Sequence, residues 1–139
     1  MLGTKYCKES IRELAYNVNQ PMKSILIVDD DEKILKFLSI SLRIAGYTVF
    51  TTTSGEQALK LVESEKPDLM LLDILMSPID GLEVLKRLRT FSNMPVIVIS
   101  AHSSACEKAL ELGANDFLDK PFRPDDVVYR IKRLDDKTG

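Results

Sequence analysis

The chain has 139 residues, 45% of them hydrophobic and 29% charged, which is enough for one domain of ordinary size with a proper core and a short extension. A net charge of −2 and a pI near 5.5 argue against a general binder of nucleic acid or of membrane surfaces. No apolar stretch approaches the roughly 20 residues that span a bilayer, and no secretory signal is recognisable. Cys7 and Cys106 are far apart in sequence, so we expect reduced thiols in a cytoplasmic protein.

The first 22 residues stand apart from the rest of the chain. Ser10 and Glu13 form a capping box, and Pro21 ends the segment. Apolar residues between them share one helical stripe, at Ile11, Leu14, Ala15 and Val18. The favoured interpretation is a short amphipathic helix that packs on the domain or belongs to an upstream linker. The alternative is a docking helix for a partner.

From Lys23 onward, strand and helix signals alternate, which favours a parallel sheet with helices on both faces. The strands are near-continuous aliphatic runs, as expected when both faces of a sheet are covered, and are predicted at 24–28, 48–52, 69–72, 96–100 and 116–119. A helix is predicted after each strand. The apolar stripe of the first comprises Ile34, Leu35, Leu38, Leu42 and Ile44. The prediction is a domain over 23–135, between an extension (1–22) and a tail (136–139).

Four of these runs end on residues that can handle phosphate or a metal. The first runs into Asp29-Asp30-Asp31, the third into Asp73, the fourth into Ser100 and the fifth into Lys120-Pro121. In a parallel α/β sheet the carboxyl ends of all strands lie on one edge, where ligands bind. The pattern therefore predicts a pocket of three or four carboxylates, one hydroxyl and one ammonium, which suits magnesium and a phosphoryl group. Taken singly, each residue could be a cap or turn former, and we expect Asp31 to cap the first helix.

The residues from Lys23 to Leu134 resemble the CheY-like receiver domain of two-component response regulators. The resemblance rests on five landmarks in order, at 25–32 (ILIVDDDE), 68–73 (DLMLLD), 80–82 (DGL), 98–101 (VISA) and 119–122 (DKPF). It implies a flavodoxin-like α/β fold, with a single doubly wound five-stranded parallel sheet of order 2-1-3-4-5 flanked by five helices. It also implies a phosphorylation-dependent signalling switch rather than an enzyme acting on a separate substrate.

By this resemblance Asp73 is the phosphoacceptor, which takes a phosphoryl group from a sensor histidine kinase, a phosphotransfer protein or a small acyl phosphate. Transfer to a carboxylate depends mostly on positioning and on neutralising charge. Mg2+ is the implied cofactor because it prefers oxygen ligands and keeps several waters. The implied ligands are Asp30 and Asp73 directly, Asp29 through water, and the backbone carbonyl of Leu75.

The resemblance assigns further roles around the acceptor. Ser100 and Lys120 would bind the phosphoryl group, with Lys120 as a point charge. Ser100 and Phe117 would change position as the switch, although Phe117 could equally be a core residue. The bond before Pro121 is a candidate cis peptide, since X-Pro bonds adopt the cis form at tolerable cost.

Two features depart from the family pattern. The proline that commonly stands four positions after the acceptor is replaced by Ser77 and comes one residue later, as Pro78, so we expect an extended Ser77 and a differently shaped loop. The residues that tune dephosphorylation by resemblance are Leu75 and His102. Leu75 offers no hydrogen bond to an attacking water, so we expect slow self-hydrolysis. His102 is expected to be an exposed loop residue, with a general base as the minority alternative.

The implied output surface comprises the fourth helix, the fifth strand and the fifth helix. It carries charges of both signs, at Glu107, Lys108, Glu111, Asp116, Arg130, Lys132 and Arg133. This surface could support a symmetric homodimer, or could simply be solvated. The expected partners are a kinase and a downstream effector protein or domain, with no direct contact between this chain and nucleic acid and none with a membrane. The sequence leaves open whether the chain acts alone or within a longer protein.

Three other functions fit the sequence less well. A phosphatase with an aspartyl-phosphate intermediate would want a second acid at position 75, which is leucine. A scaffold that kept only the fold is disfavoured by the intact set of acidic residues, Ser100 and Lys120. A dinucleotide-binding domain would want a glycine-rich turn after the first strand, where three aspartates would repel a pyrophosphate.

Overall fold

The computed structural model describes residues 22–138, and the predicted amphipathic helix near residues 10–18 lies outside these described residues. Met22, which was predicted to belong to the extension, is attached to the domain. Its backbone N–H donates to the Asp135 carboxylate at 3.1 and 3.2 Å, and its side chain packs against the same apolar core cluster as Tyr47 and Leu134 do. Within the described part of the chain, no helix is long and apolar enough to cross a membrane.

The sheet has five parallel strands in the order β2-β1-β3-β4-β5, as predicted. Their bounds are β1 Ser24–Val28, β2 Thr48–Thr52, β3 Leu69–Asp73, β4 Val96–Ser100 and β5 Asp116–Asp119. The third strand is one residue longer than predicted and includes Asp73. Because Asp73 pairs with Ile99 and Ser100 pairs with Asp119, the polar residues at the strand ends come level along one edge.

Helices connect the strands on both faces of the sheet. Their bounds are α1 Glu32–Ile44, α2 Gly55–Glu65, α3 Gly81–Leu88, α4 Cys106–Glu111 and α5 Pro124–Thr138, with a 3-10 turn at Ser103–Ala105 before α4. The first three begin at polar caps whose side-chain oxygens accept backbone N–H bonds, at Asp31, Ser54 and Asp80. The fifth helix continues through Thr138, so residues 136–138, which were predicted to be a tail, form its last turn.

Two apolar layers enclose the sheet. Alternate strand residues point to opposite faces, so Leu72 joins the layer under α2, α3 and α4, and Leu71 joins the layer under α1 and α5. Every residue of β3 and β4 is buried, which explains why these strands read as continuous aliphatic runs. Ile44 lies in α1 and fits the predicted helical spacing, but its side chain is 82% exposed. It follows buried Leu42 by two residues, about 200° around the helix, and therefore points away from the core.

We expect Leu72→Ala to lower the free energy of unfolding by about 2–5 kcal/mol, because it opens a cavity in the central strand. Leu110→Ala is the matched control, since Leu110 is 47% exposed on α4 and should change the same quantity by less than about 0.5 kcal/mol. Urea denaturation followed by circular dichroism measures both. Equal losses would contradict this description of the core.

Candidate functional site

The predicted site residues come together at the carboxyl edge of the sheet. Asp29 directly follows β1, Asp73 ends β3, Ser100 ends β4 and Lys120 directly follows β5. Asp29, Asp73 and Ser100 are buried, at 3%, 4% and 0% exposure. Among the described residues, Ser39 is the other polar or charged residue that is buried. Burial of polar side chains in this fold is therefore concentrated at the site.

Three carboxylates form one cluster within this edge. Asp29, Asp30 and Asp73 each offer an oxygen, and these oxygens all lie within 4.8 Å of one another. Asp29 and Asp73 form the floor, while Asp30 is exposed at the mouth. An oxygen-only donor set that is open to solvent on one side fits magnesium, which keeps several water ligands. The cluster can therefore hold a divalent cation of that kind.

Lys120 partly balances the charge of this cluster. Its Nζ lies 3.2 Å from Oδ2 of Asp29 and 3.6 Å from Oδ1 of Asp73. One ammonium therefore serves two buried carboxylates, and the site keeps an excess of negative charge. The side chain of Lys120 is 21% exposed, so its end can reach toward an anion at the mouth.

Burial and the excess negative charge of the site both affect the pKa of Asp73. Burial is the main cause that raises the pKa of its carboxyl group to about 6, and the negative charge of Asp29 adds to the effect. Lys120 and the backbone N–H of Leu75 lower the pKa, and the charge of Asp30 raises it slightly. The carboxylate is therefore ionised at neutral pH. Its burial beside another carboxylate favours binding of a cation next to it.

The same short turn orients three of the site side chains. In each, an oxygen accepts the backbone N–H of the residue two positions later. These bonds are Asp31 N–H to Asp29 Oδ1 at 2.9 Å, Leu75 N–H to Asp73 Oδ1 at 3.4 Å, and His102 N–H to Ser100 Oγ at 3.0 Å. Asp and Ser side chains commonly form such turns. Each strand end therefore positions its own functional group by local hydrogen bonding.

Lys120 is placed by the sheet itself. Its backbone N–H donates to the carbonyl of Ser100 at 2.9 Å, which continues the pairing of β4 with β5 by one residue. The Lys120-Pro121 peptide bond is cis. The Ser77-Pro78 bond is also cis, a feature that the sequence analysis did not anticipate when it expected only an extended Ser77.

Gly81, which lies in the landmark at 80–82, is also part of the site. Its backbone N–H donates to the carbonyl of Ile74 at 2.8 Å. A Cβ at position 81 would collide with the carbonyl oxygen of Asp73 and would lie 2.7 Å from Cα of Ile74. The first turn of α3 therefore packs directly against the backbone of Asp73 and fixes its position. Such close approach depends on tertiary packing, and the Asp80-Gly81 motif gave only a weak signal of it.

The remaining predicted residues lie around the rim. Leu75 is 49% exposed, and His102 is exposed in the loop after β4. Phe117 is half-buried against the layer under α2, α3 and α4. Its carbonyl accepts a hydrogen bond from Arg130 at 3.1 Å, and the same guanidinium nitrogen lies 2.6 Å from the Asp116 carboxylate. Phe117 is thereby linked to α5, a connection that the sequence did not indicate.

Comparison with known proteins agrees with this geometry. Residues 25–132 match the family model of the response regulator receiver domain. The alkaline phosphatase synthesis transcriptional regulatory protein PhoP of Bacillus subtilis is 44% identical over 115 residues, which cover 81% of this chain and 48% of PhoP. The probable transcriptional regulator ycf27 of Porphyra purpurea is 40% identical over 118 residues, 84% of this chain and 48% of that relative. The chain thus spans about half the length of these curated relatives.

Solved structures show the same fold. A putative response regulator from Chloroflexus aurantiacus superposes with a TM-score of 0.77 at 38% identity, covering 84% of this chain and 98% of that one. The response regulator TrrA of Thermotoga maritima, solved in complex with Mg2+-BeF, gives a TM-score of 0.75 at 35% identity, covering 81% of this chain and 99% of that one.

The raised pKa of Asp73 predicts a pH-dependent stability. The folded value of about 6 lies above the ordinary value of 3.8, so the folded state binds the proton more tightly. Asp73 therefore destabilises the fold increasingly as the pH rises from about 4 to 6, and fully above that range. Without divalent metal, we expect Asp73→Asn to raise the free energy of unfolding by about 2 kcal/mol at pH 7.5 and by much less at pH 4.

Urea denaturation at the two pH values measures this effect. Asp119→Asn removes an exposed carboxylate at the end of β5 and is the control, for which we expect little difference between the two pH values. A gain for Asp73→Asn that does not grow with pH would show that the carboxylate is not electrostatically strained.

Proposed function

The chain belongs to the response regulator receiver domain family, and we propose that it is a phosphorylation-dependent switch whose phosphoacceptor is Asp73. The assignment rests on the different contacts that the two buried carboxylates, Asp29 and Asp73, make. Both oxygens of Asp29 are engaged, Oδ1 by the N–H of Asp31 and Oδ2 by Lys120. Among the described residues, the Asp73 contacts involve Oδ1 alone and are longer, so Oδ2 is available as a nucleophile.

The proposed phosphoryl donor is a phosphohistidine on a sensor histidine kinase or a phosphotransfer protein, or a small acyl phosphate. Oδ2 of Asp73 attacks phosphorus, the bond from phosphorus to the donor nitrogen or oxygen breaks, and the donor leaves with that electron pair. The arriving group is strongly anionic, so the site must neutralise charge more than it must do covalent chemistry. Lys120, which already spans the two buried carboxylates, is placed to turn toward a phosphoryl oxygen.

We propose Mg2+ as the cofactor of this step. Asp30 and Asp73 would ligate it directly, Asp29 through water, and the backbone carbonyl of Leu75 would complete the protein ligands. The support is the cluster of three carboxylate oxygens and the Mg2+-BeF complex of TrrA. When bound, magnesium neutralises charge on the phosphoryl oxygens. The elevated pKa of Asp73 means that a cation there also stabilises the ionised, nucleophilic form.

The proposed output begins at Ser100. Its buried hydroxyl accepts the His102 N–H, and in the phosphorylated state it would bond to the phosphoryl group instead. Phe117, two residues from the end of the neighbouring strand, would turn inward behind it. Since Arg130 holds the Phe117 carbonyl and the Asp116 carboxylate, a shift of β5 would be felt by α5. The surface of α4, β5 and α5 is therefore the proposed contact for a downstream effector and for a possible homodimer.

The relatives suggest the context of this switch. PhoP and ycf27 are named as transcriptional regulators, so we propose that the signal is passed to an effector protein or domain rather than used in this chain for nucleic-acid contact. We further propose a cytoplasmic domain over 22–138, slightly longer at both ends than the sequence predicted, with an extension before it. The regulatory chemistry would comprise self-phosphorylation from small donors and slow autodephosphorylation.

The first test is intact mass after incubation with Mg2+ and a small acyl phosphate. We expect one added phosphoryl group on the native chain, and none without Mg2+ or in Asp73→Asn, because the nucleophile is then an amide. Asp119→Asn, at the end of β5, should be phosphorylated like the native chain. An adduct that persisted in Asp73→Asn would assign the acceptor to another residue. No adduct on any variant, with fast sampling, would favour a scaffold.

The second test concerns the lifetime of the phosphoryl group. The half-exposed side chain of Leu75 cannot hydrogen-bond an attacking water, so Leu75→Gln should accelerate dephosphorylation by about fivefold, the equivalent of one hydrogen bond of about 1 kcal/mol. Leu75→Met keeps an apolar side chain and should leave the rate unchanged. Decay of the mass adduct after removal of the donor measures both. Equal acceleration by Met would point to loss of steric cover instead.

A further inference from the structure

A stripe of large apolar side chains on α1 points away from the domain. Phe37, Ile40 and Ile44 are 50%, 51% and 82% exposed. They stand at positions i, i+3 and i+7, so they share one side of the helix. Ile40 follows buried Leu38 by two residues, about 200° around the helix, so this side is opposite the one that packs on the sheet. Clustered apolar surface that the domain does not cover marks a contact site.

Tyr129 on α5 extends this apolar surface. It is 61% exposed, and together with Ile44 it lines a concavity of about 460 Å³ between α1 and α5. An aromatic side chain can bury about 150–250 Å², and isoleucine somewhat less, so the exposed parts of Tyr129 and the three stripe residues add up to roughly 400–500 Å². A standard protein interface takes about 800 Å² from each partner, of which about 60% is apolar. The apolar surface is therefore large enough for one side of a specific interface.

Charges of opposite sign stand near the two ends of the stripe. Lys33 continues the stripe by one turn toward the start of α1, and Asp125 of α5 lines the concavity beside Ile44 at the other end. Both are exposed, and neither forms an ion pair with another residue in the described part of the chain. The guanidinium of Arg43, in the last turn of α1, is engaged elsewhere, because it donates to the Val49 carbonyl at 3.2 Å. An apolar stripe with a cation at one end and an anion at the other is complementary to a reversed copy of itself.

We propose that this stripe binds a second copy of the chain, in a symmetric dimer whose two α1 helices pack antiparallel. The twofold axis passes beside Ile40, perpendicular to α1. Along the helix axis, Phe37 of one copy then comes within about 1.5 Å of the level of Ile44 in the other. Asp125 stands level with the last turn of α1, which brings it to about one helical turn from Lys33 of the second copy. Each of these contacts occurs twice, as an isologous interface requires.

A parallel arrangement of the two helices fits less well. It would place Lys33 opposite Lys33 of the second copy and would align the two helix dipoles, and both effects are unfavourable. The proposed contact also differs from the possible homodimer through α4, β5 and α5, because α1 and α4 lie on opposite faces of the sheet. Its test needs neither Mg2+ nor a phosphoryl donor, so it is independent of the proposed phosphorylation.

Single-cysteine cross-linking in the full chain tests the position of the twofold axis. In a background with Cys7→Ser and Cys106→Ser, we expect Ile40→Cys to form a disulfide between two chains under mild oxidation, because a residue at the axis meets its own copy. Ile44→Cys is the matched control. Its two copies would lie about 12 Å apart along the helices, beyond the reach of a disulfide, although Ile44 is the more exposed residue. A non-reducing gel measures both.

Two results would overturn the proposal. Cross-linking of Ile44→Cys that equals or exceeds that of Ile40→Cys would indicate random collision or a parallel contact. Absence of a cross-link in Ile40→Cys would mean that the stripe does not face a second copy.

Sedimentation equilibrium gives an independent measurement. For the native chain, we expect an average mass that rises with concentration from 15.7 kDa toward twice that value. Ile40→Asp should raise the dissociation constant by about tenfold or more, because it places two carboxylates in an apolar contact at the axis. Leu110→Asp, at a similarly exposed position on α4, should leave the constant unchanged. A dimer that Leu110→Asp disrupts and Ile40→Asp does not, or a native chain that stays monomeric up to near-millimolar concentration, would contradict the proposal.

Discussion

The site depends on an unequal balance of charge at one edge of the sheet. Three carboxylates converge there, two of them buried, and Lys120 is the ammonium that contacts both buried ones. Parallel strands enforce this arrangement, since their carboxyl ends cannot avoid meeting. Burial and the remaining negative charge together raise the pKa of Asp73, so the ionised carboxylate is costly without a cation beside it. Three carboxylates and one ammonium together carry a formal charge of −2, which one divalent cation would neutralise.

Precision in this site comes from backbone contacts rather than from side-chain packing. Each of Asp29, Asp73 and Ser100 accepts the N–H of the residue two positions on, so its orientation follows from its own strand end. The close contact of Gly81 with the Asp73 backbone ties the acceptor to α3. Ser100 and Lys120 are joined through the sheet by the bond from the Lys120 N–H to the Ser100 carbonyl, and the partly exposed Lys120 side chain reaches both buried carboxylates. The fold thus fixes Asp73 beside Ser100 and Lys120, the two residues that we propose to bind the phosphoryl group.

The sequence predicted the strands well because residues buried on both faces leave little ambiguity, and the site followed because it lies at strand ends. The sequence did not predict features that depend on contacts between distant segments of the chain. Ile44 fits the apolar spacing of α1 but points to solvent, because spacing alone does not say which side of a wide stripe meets the core. The roles of Gly81 and Arg130 depend on backbone and carbonyl groups that only tertiary structure brings near. The cis bond before Pro78 likewise had no local signal beyond the proline itself.

The fifth helix connects features that otherwise lie on separate surfaces. On one face, Val128 and Tyr129 line a concave surface between α1 and α5. On another, Arg130 contacts the Asp116 carboxylate and the carbonyl of Phe117 on β5. A second concave surface, beside the first half of α1, is lined by Pro121, next to the lysine that spans the acidic cluster. A displacement of β5 and its following loop would therefore reach both faces of α5. An element bound on the concave surface beside α1 would be coupled to the proposed phosphorylation site by the same contacts, since energetic coupling between two sites is reciprocal.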